Sequence, residues 1–146
     1  MVAARARRAT FVLGLVMGRL EEALEELRLA RRADPYSALA AGYEANLLAT
    51  SGRVDEAVES ALSGIELDAE GLVSYVALTT AYLAGHRPLE AVVTALSALN
   101  RFGPAPFILV SAVSALAARG RHAEAQELHD ELSERAAEQY VQGGLT

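Results

Sequence analysis

The stretch RLEEALEELRLARRADP, residues 19–35, shows most clearly how the chain is organised. From Leu20 to Leu27 its apolar side chains recur three and four residues apart, which is the spacing of one helical face. The aspartate and proline at its end predict that the helix stops there. The pair Glu22-Ala23 recurs in three further places, always 34 residues on. A fixed period of this length predicts a helical repeat protein, in which each unit adds the same pair of helices.

A glycine before each pair indicates where the two helices of a unit are joined. The pairs are Glu22-Ala23, Glu56-Ala57, Glu90-Ala91 and Glu124-Ala125, and the matching glycines are Gly18, Gly52 and Gly120. In the third unit the glycine is Gly85, and His86 takes the expected place. Glycine adopts the left-handed backbone that ends a helix, and a glutamate in the first turn interacts favourably with the helix dipole. We therefore expect a turn at the glycine, a second helix that begins near the glutamate, and the small alanine where the helices cross.

This register resembles that of the tetratricopeptide repeat family. The likeness rests on the glycine, the Glu-Ala pair, the closing Asp34-Pro35 and a bulky residue late in the first helix, here Tyr82 and Leu116. It covers four units, residues 4–37, 38–71, 72–105 and 106–139, followed by a short C-terminal tail at 140–146. The resemblance implies an all-α, right-handed superhelical solenoid of four antiparallel helix hairpins, with first helices on a concave face and second helices on a convex face. The family's Trp-Leu-Gly signature is absent, and the first unit departs most from the pattern.

The resemblance also implies a partner-binding groove along the first helices. Its side chains would be Arg5, Arg8, Val12, Tyr43, Asn46, Val73, Val76, Thr80, Phe107, Val110 and Ser114. Because a contiguous apolar surface usually marks a partner site, we expect an apolar or amphipathic protein segment as the ligand. The alternative is that the valines pack between neighbouring first helices. A clamp for a C-terminal carboxylate, known in the family, is disfavoured: Asn46 fits it, but Val73 and Ala77 stand where basic residues are expected.

No set of residues predicts catalysis, a cofactor or a metal site, so we expect a protein that is not an enzyme. The chain has no cysteine and three histidines. His122 and His129 lie two helical turns apart, too far to hold one metal ion as neighbours, and His129 falls on the inner stripe of its helix as a packing residue. The acidic pairs and arginines within residues 21–32 predict a solvated, salt-bridged helix face.

The net charge of −6 argues against nucleic acid as a partner, because proteins that bind it usually present a basic face. Arg5, Arg7 and Arg8 could contact an acidic partner or open a signal peptide, but the apolar run after them is short and has no small-residue cleavage site. No other stretch is apolar for long enough to span a bilayer. All basic residues are arginine, which together with abundant alanine suggests a GC-rich bacterium. We expect a cytoplasmic protein without a membrane or nucleic-acid partner.

Two functions fit these patterns. The first is a non-catalytic adaptor that binds a segment of another protein in its groove. The second is a homo-oligomer, or a repeat fragment of a larger bacterial signalling or regulatory protein, because the last unit has no separate polar helix to cap its apolar flank.

Overall fold

The computed structural model describes residues 17–144, of which residues 140, 142 and 144 are described by their backbone alone. Within this range the chain forms seven α-helices and no strand. They are α1 (Leu20–Ala33), α2 (Ala38–Thr50), α3 (Val54–Leu67), α4 (Leu72–Ala84), α5 (Pro88–Phe102), α6 (Pro106–Ala118) and α7 (His122–Gly144). The first helix predicted for the first unit lies outside the described residues, together with Arg5, Arg8 and Val12.

The helices stack in the order of the chain. Each helix packs on the next one, and in addition α2 packs on α4 and α4 packs on α6. The second helices α1, α3 and α5 pack on first helices and make no comparable contact with one another. The fold is therefore an all-α solenoid in which the first helices α2, α4 and α6 form the continuous inner row.

In the three hairpins whose two helices are both described, the recurring alanine lies where these helices meet. Ala23, Ala57, Ala91 and Ala125 are all buried. The rest of the interior is aliphatic, with Leu24, Leu27, Leu47, Ile108, Leu109 and Leu116 as its largest fully buried apolar side chains. Because an interior of this kind is packed to high density, a larger residue at the alanine position would push the helices apart.

The glycine before each second helix adopts the left-handed backbone. Gly18, Gly52 and Gly120 have φ of 65°, 80° and 84°, and no atom lies within 4 Å of a Cβ placed on any of them. His86 takes the same role in the third unit with φ of 55°. Its neighbour Gly85 is a glycine for a different reason, because a Cβ there would come within 2.7 Å of Val54 Cγ1.

An arginine begins each second helix and binds the glutamate of the repeated pair. Arg53 donates to Glu56 through two nitrogens, at 2.9 and 2.8 Å. The same pair recurs as Arg19 with Glu22, Arg87 with Glu90 and Arg121 with Glu124. These arginines follow the same 34-residue period, although the predicted repeat pattern did not include them.

The stack is tighter between the second and third units than between the third and fourth. A Cβ on Gly42 would lie 2.9 Å from Val73 Cγ1, and a Cβ on Gly64 would overlap Ser74 Oγ. The residues 34 positions on are larger: Val76, Ala98 and Ile108 replace Gly42, Gly64 and Ser74. Accordingly α4 packs far more extensively on α2 than on α6.

The last helix, α7, continues to Gly144 and is the longest described helix. One of its residues differs from expectation. His129 was expected to pack inwards. Its side chain is 58% exposed instead, with Nδ1 at 3.6 Å from Asp130 Oδ1, because no described helix covers that side of α7.

Candidate functional site

The most exposed apolar side chains of the first helices lie on α6. Phe107 is 71% exposed and Val110 is 51% exposed, and Ser114 continues the same helical face. These three residues are spaced by three and four positions, so they form one stripe along the helix. In the described part of the chain, α6 thus presents a partly apolar surface that no other helix covers.

The candidate residues of α4 are half-buried. Val73 lies against Gly42 of the preceding first helix, as the close approach at that glycine shows. Val76 and Thr80 are also partly exposed, and Thr80 Oγ1 donates to the Val76 carbonyl at 2.9 Å. The helix therefore supplies a mixture of apolar surface and a hydroxyl already satisfied by its own backbone.

The candidate residues of α2 are half-buried as well. Tyr43 packs its ring against the hydrophobic cluster formed by α1 and its neighbours. Asn46 stands one turn further along the same face. The repeat register aligns Asn46 with Thr80 and Ser114, and Val76 with Val110. We call this set of eight residues on α2, α4 and α6 the inner strip: Tyr43, Asn46, Val73, Val76, Thr80, Phe107, Val110 and Ser114.

A second polar feature lies on the side of the second helices. Glu44 of α2 is only 8% exposed, and it accepts a hydrogen bond from Arg31 Nη1 of α1 at 2.6 Å. Arg31 also donates to Ser60 and Ser63 of α3, at 3.3 and 3.4 Å. One arginine thereby joins three helices. Arg28 Nε lies 4.0 Å from Glu44 Oε1.

This arrangement corrects part of the sequence analysis. The arginines of α1 were expected to pair with acidic residues of the same exposed helix. Arg32 does so, at 3.0 Å from Glu25, but Arg31 is drawn inwards by Glu44. The available signal was a single charged residue, Glu44, in the otherwise apolar and small-residue stretch 37–52. A lone carboxylate on such a helix requires a cationic partner from a neighbouring element.

The electrostatics of the repeated Arg–Glu pairs are simple. The hydrogen bond from Arg53 lowers the pKa of Glu56, and the bond from Arg121 lowers the pKa of Glu124. The pKa of Glu90 is lowered first by a backbone hydrogen bond and then by Arg87. Each carboxylate is solvent-exposed and lies in the first turn of its helix, so the lowered pKa values follow from local hydrogen bonds at the helix start.

Among residues 17–144, no group of three or more His, Cys, Asp or Glu side chains is placed to hold a metal ion. No helix in that range is both long and apolar enough to cross a membrane.

The fold is that of a tetratricopeptide-like helical solenoid, as found in the protein MamA. A crystal structure of MamA matches with a TM-score of 0.70 at 16% identity, covering 96% of this chain and 75% of MamA. A MamA point mutant matches with a TM-score of 0.62 at 17% identity, covering 92% and 77% of the two chains. The structure described as MamA MSR-1 C2 matches with a TM-score of 0.65 at 18% identity, covering 90% and 78%.

Identities this low show the fold alone. No protein-family model matches the sequence, and no curated protein sequence matches it significantly. The structure matches confirm the fold class predicted from the 34-residue register, an all-α helical solenoid.

Proposed function

We propose that this chain is a non-catalytic interaction module that binds an apolar or amphipathic segment of another protein along the inner strip. The observation that carries the proposal is the exposure of Phe107 and Val110, 71% and 51%, on a first helix that continues the row formed by α2 and α4. Burying apolar surface is favourable by about 25 cal/mol per Å². Binding of a partner that covers this stripe is therefore favourable, and it needs no rearrangement of the solenoid.

The polar members of the inner strip indicate which kind of ligand fits it. Asn46, Thr80 and Ser114 form a row at matching repeat positions, beside the row of Val76 and Val110. A ligand with one apolar and one polar face suits two such rows, because an amphipathic helix presents its anchors three and four residues apart. Arg5, Arg8 and Val12 stay in the proposed groove as sequence predictions, since they lie outside the described residues.

The test is a comparison of two exposed valines. Val110→Asp places a charge on the inner strip, and Val93→Asp places the same charge on α5, where valine is 59% exposed. We expect both variants to keep the helical circular dichroism of the wild type. Proteins captured from native lysate by the wild type should be lost with Val110→Asp and retained with Val93→Asp. Equal capture by all three chains would contradict the proposal.

A second copy of the chain is the other candidate partner, and one observation favours it. Val110 and Ala117 are exposed on α6, whereas Gly42 and Ala49, two repeat periods earlier, are buried. On α2 this face is covered by the following unit. On α6 the equivalent face is exposed, as far as the described residues extend. A mass that increases with protein concentration in sedimentation experiments, and that Val110→Asp returns to the monomer, would support this candidate.

The remaining assignments stay predictions. The unit boundaries at 4–37, 38–71, 72–105 and 106–139, the bacterial source and the cytoplasmic location follow from the sequence pattern and composition. The possibility of a repeat fragment within a larger regulatory protein is likewise a proposal.

A further inference from the structure

The crevice between α1 and α3 has a charged floor. Both helices pack on α2, and they meet each other through the side chain of Arg31, which reaches Ser60 and Ser63 of α3. Glu44 lies at this floor and is held by Arg31 at 2.6 Å and by Ser60, whose Oγ is 3.3 Å from Glu44 Oε2.

The next crevice along the stack is built differently. The residues 34 positions after Arg31 and Glu44 are Ile65 and Leu78, and these two pack together in one hydrophobic cluster. The repeat can therefore close this position with apolar side chains. Burying an ion pair costs desolvation free energy, whereas burying an apolar pair such as Ile65 and Leu78 does not. Packing alone does not explain why the first crevice carries charge.

On the α1 side of this crevice, arginines outnumber carboxylates. A cleft of about 630 Å³ there is lined by Arg28, Arg31, Arg32, Pro35 and Glu44. Arg32 is held by Glu25 at 3.0 Å and Arg31 by Glu44 at 2.6 Å. Arg28 has the loosest pairing of the three: its Nε is 4.0 Å from Glu44 Oε1, beyond hydrogen-bond distance, and its charge also acts on Glu56. Arg28 is 40% exposed at this cleft, so its guanidinium can reach an incoming ligand.

We propose that this arginine cleft binds a side-chain carboxylate of an acidic protein segment. Guanidinium groups match a carboxylate with paired hydrogen bonds, and here Glu44 fixes Arg31 beside Arg28. The net charge of −6 opposes long polyanions, which favours a short acidic segment over nucleic acid. Glu56 and Glu59 line a neighbouring cleft of about 230 Å³ that shares Arg31 and Glu44, so like-charge repulsion disfavours an anion on that α3 side. The site is separate from the inner strip, because its arginines come from a second helix.

The test uses Arg28→Gln with Arg101→Gln as the matched control. Arg101 occupies the last turn of α5, is also 40% exposed, and pairs with one carboxylate, Glu70, at 2.9 Å. A fluorescently labelled Glu-rich peptide and its Gln-substituted counterpart are titrated with the full chain, and anisotropy is measured. We expect the Glu peptide alone to bind, Arg28→Gln to weaken it about tenfold, and Arg101→Gln to leave it unchanged.

Three outcomes would overturn the proposal. They are equal weakening by both variants, equal binding of both peptides, and no binding of the Glu peptide to the wild type. Inorganic phosphate is added as a competitor against chloride at equal ionic strength. If phosphate displaces the bound Glu peptide and chloride does not, the result supports an oxyanion site in the cleft. If phosphate binds but the Glu peptide does not, the assignment to a protein segment is overturned. Circular dichroism shows that each variant is folded. Because the readout uses no inner-strip residue, its failure is distinguishable from failure of the proposed function.

Discussion

At the scale of single residues, the chain uses one backbone position of the repeat in two ways. Gly52 adopts a left-handed backbone without strain, whereas His86 adopts it with a side chain. The left-handed region costs an L-residue about 1–2 kcal/mol. The displaced glycine of the third unit is explained by Gly85, whose missing Cβ makes room for Val54. Sequence alone shows the displacement but not the contact that causes it.

Exchanging the two residue types should shift stability in opposite directions. His86→Gly should stabilise the fold by about 0.5–1 kcal/mol. The relief of backbone strain at this position exceeds the cost of ordering a more flexible glycine. Gly52→His should destabilise it by about 1 kcal/mol, since no atom within 4 Å obstructs a Cβ there and only the backbone is strained. Urea unfolding measures both. Destabilisation by His86→Gly would show that the imidazole makes a contact worth more than the strain.

The Arg–Glu pairs predict a local titration. Arg121→Gln should raise the pKa of Glu124 towards its ordinary value of 4.5, because the hydrogen bond from Arg121 is what lowers it. The contribution of the pair to stability is present above the pKa of Glu124 in the unfolded chain and is lost as the pH falls through the lowered pKa of the folded chain. Carboxyl chemical shifts measured by NMR against pH test this. An unchanged midpoint in the variant would show that Arg121 does not hold the carboxylate.

At the scale of helices, Gly42 of α2 and Gly64 of α3 allow α4 to pack closely against both helices. Gly64→Ala should destabilise the fold by about 1–3 kcal/mol, because the new methyl group overlaps Ser74 Oγ. Elsewhere in a helix the same change is favourable by about 1 kcal/mol, so the sign itself is diagnostic.

Removing the obstructing hydroxyl supplies the control. In a Ser74→Ala background the nearest remaining atom is Cβ of residue 74, at 3.2 Å from the new methyl group. Most of the cost of Gly64→Ala should then disappear, and a double-mutant cycle gives the coupling. Additive effects would mean that the two helices are not held at this distance by Ser74.

The ion pair at the α1–α3 crevice should respond asymmetrically to substitution. Glu44→Leu alone leaves Arg31 half-buried without its carboxylate and should destabilise the fold by about 1–3 kcal/mol. Arg31→Ile combined with Glu44→Leu, which copies the next unit, should be close to the wild type or more stable. Thermal unfolding of the single and double variants distinguishes these cases. A double variant less stable than the single would contradict the view that charge here serves a purpose other than packing.

At the scale of the molecule, the sequence predicted the solenoid because its signals are local and repeated. The alanine and glycine positions, the 34-residue period and the helix ends all depend on residues near one another in the chain. The Arg31–Glu44 contact and the uneven stacking could not be predicted in this way. They depend on side chains that meet only after α1, α2 and α4 have packed. The exposure of Phe107 depends in addition on how far α6 lies from α4.

Whether the inner strip is the binding surface is tested most directly by finding which polypeptide contacts position 107 in a cell extract. A photo-crosslinking phenylalanine analogue is incorporated at position 107, and the same analogue at position 93 serves as the control, since both side chains are exposed, on α6 and α5 respectively. After irradiation, we expect a defined adduct with another polypeptide from position 107 and none from position 93. Adducts from position 93 alone, or the same adducts from both positions, would contradict the assignment of the inner strip as the binding surface.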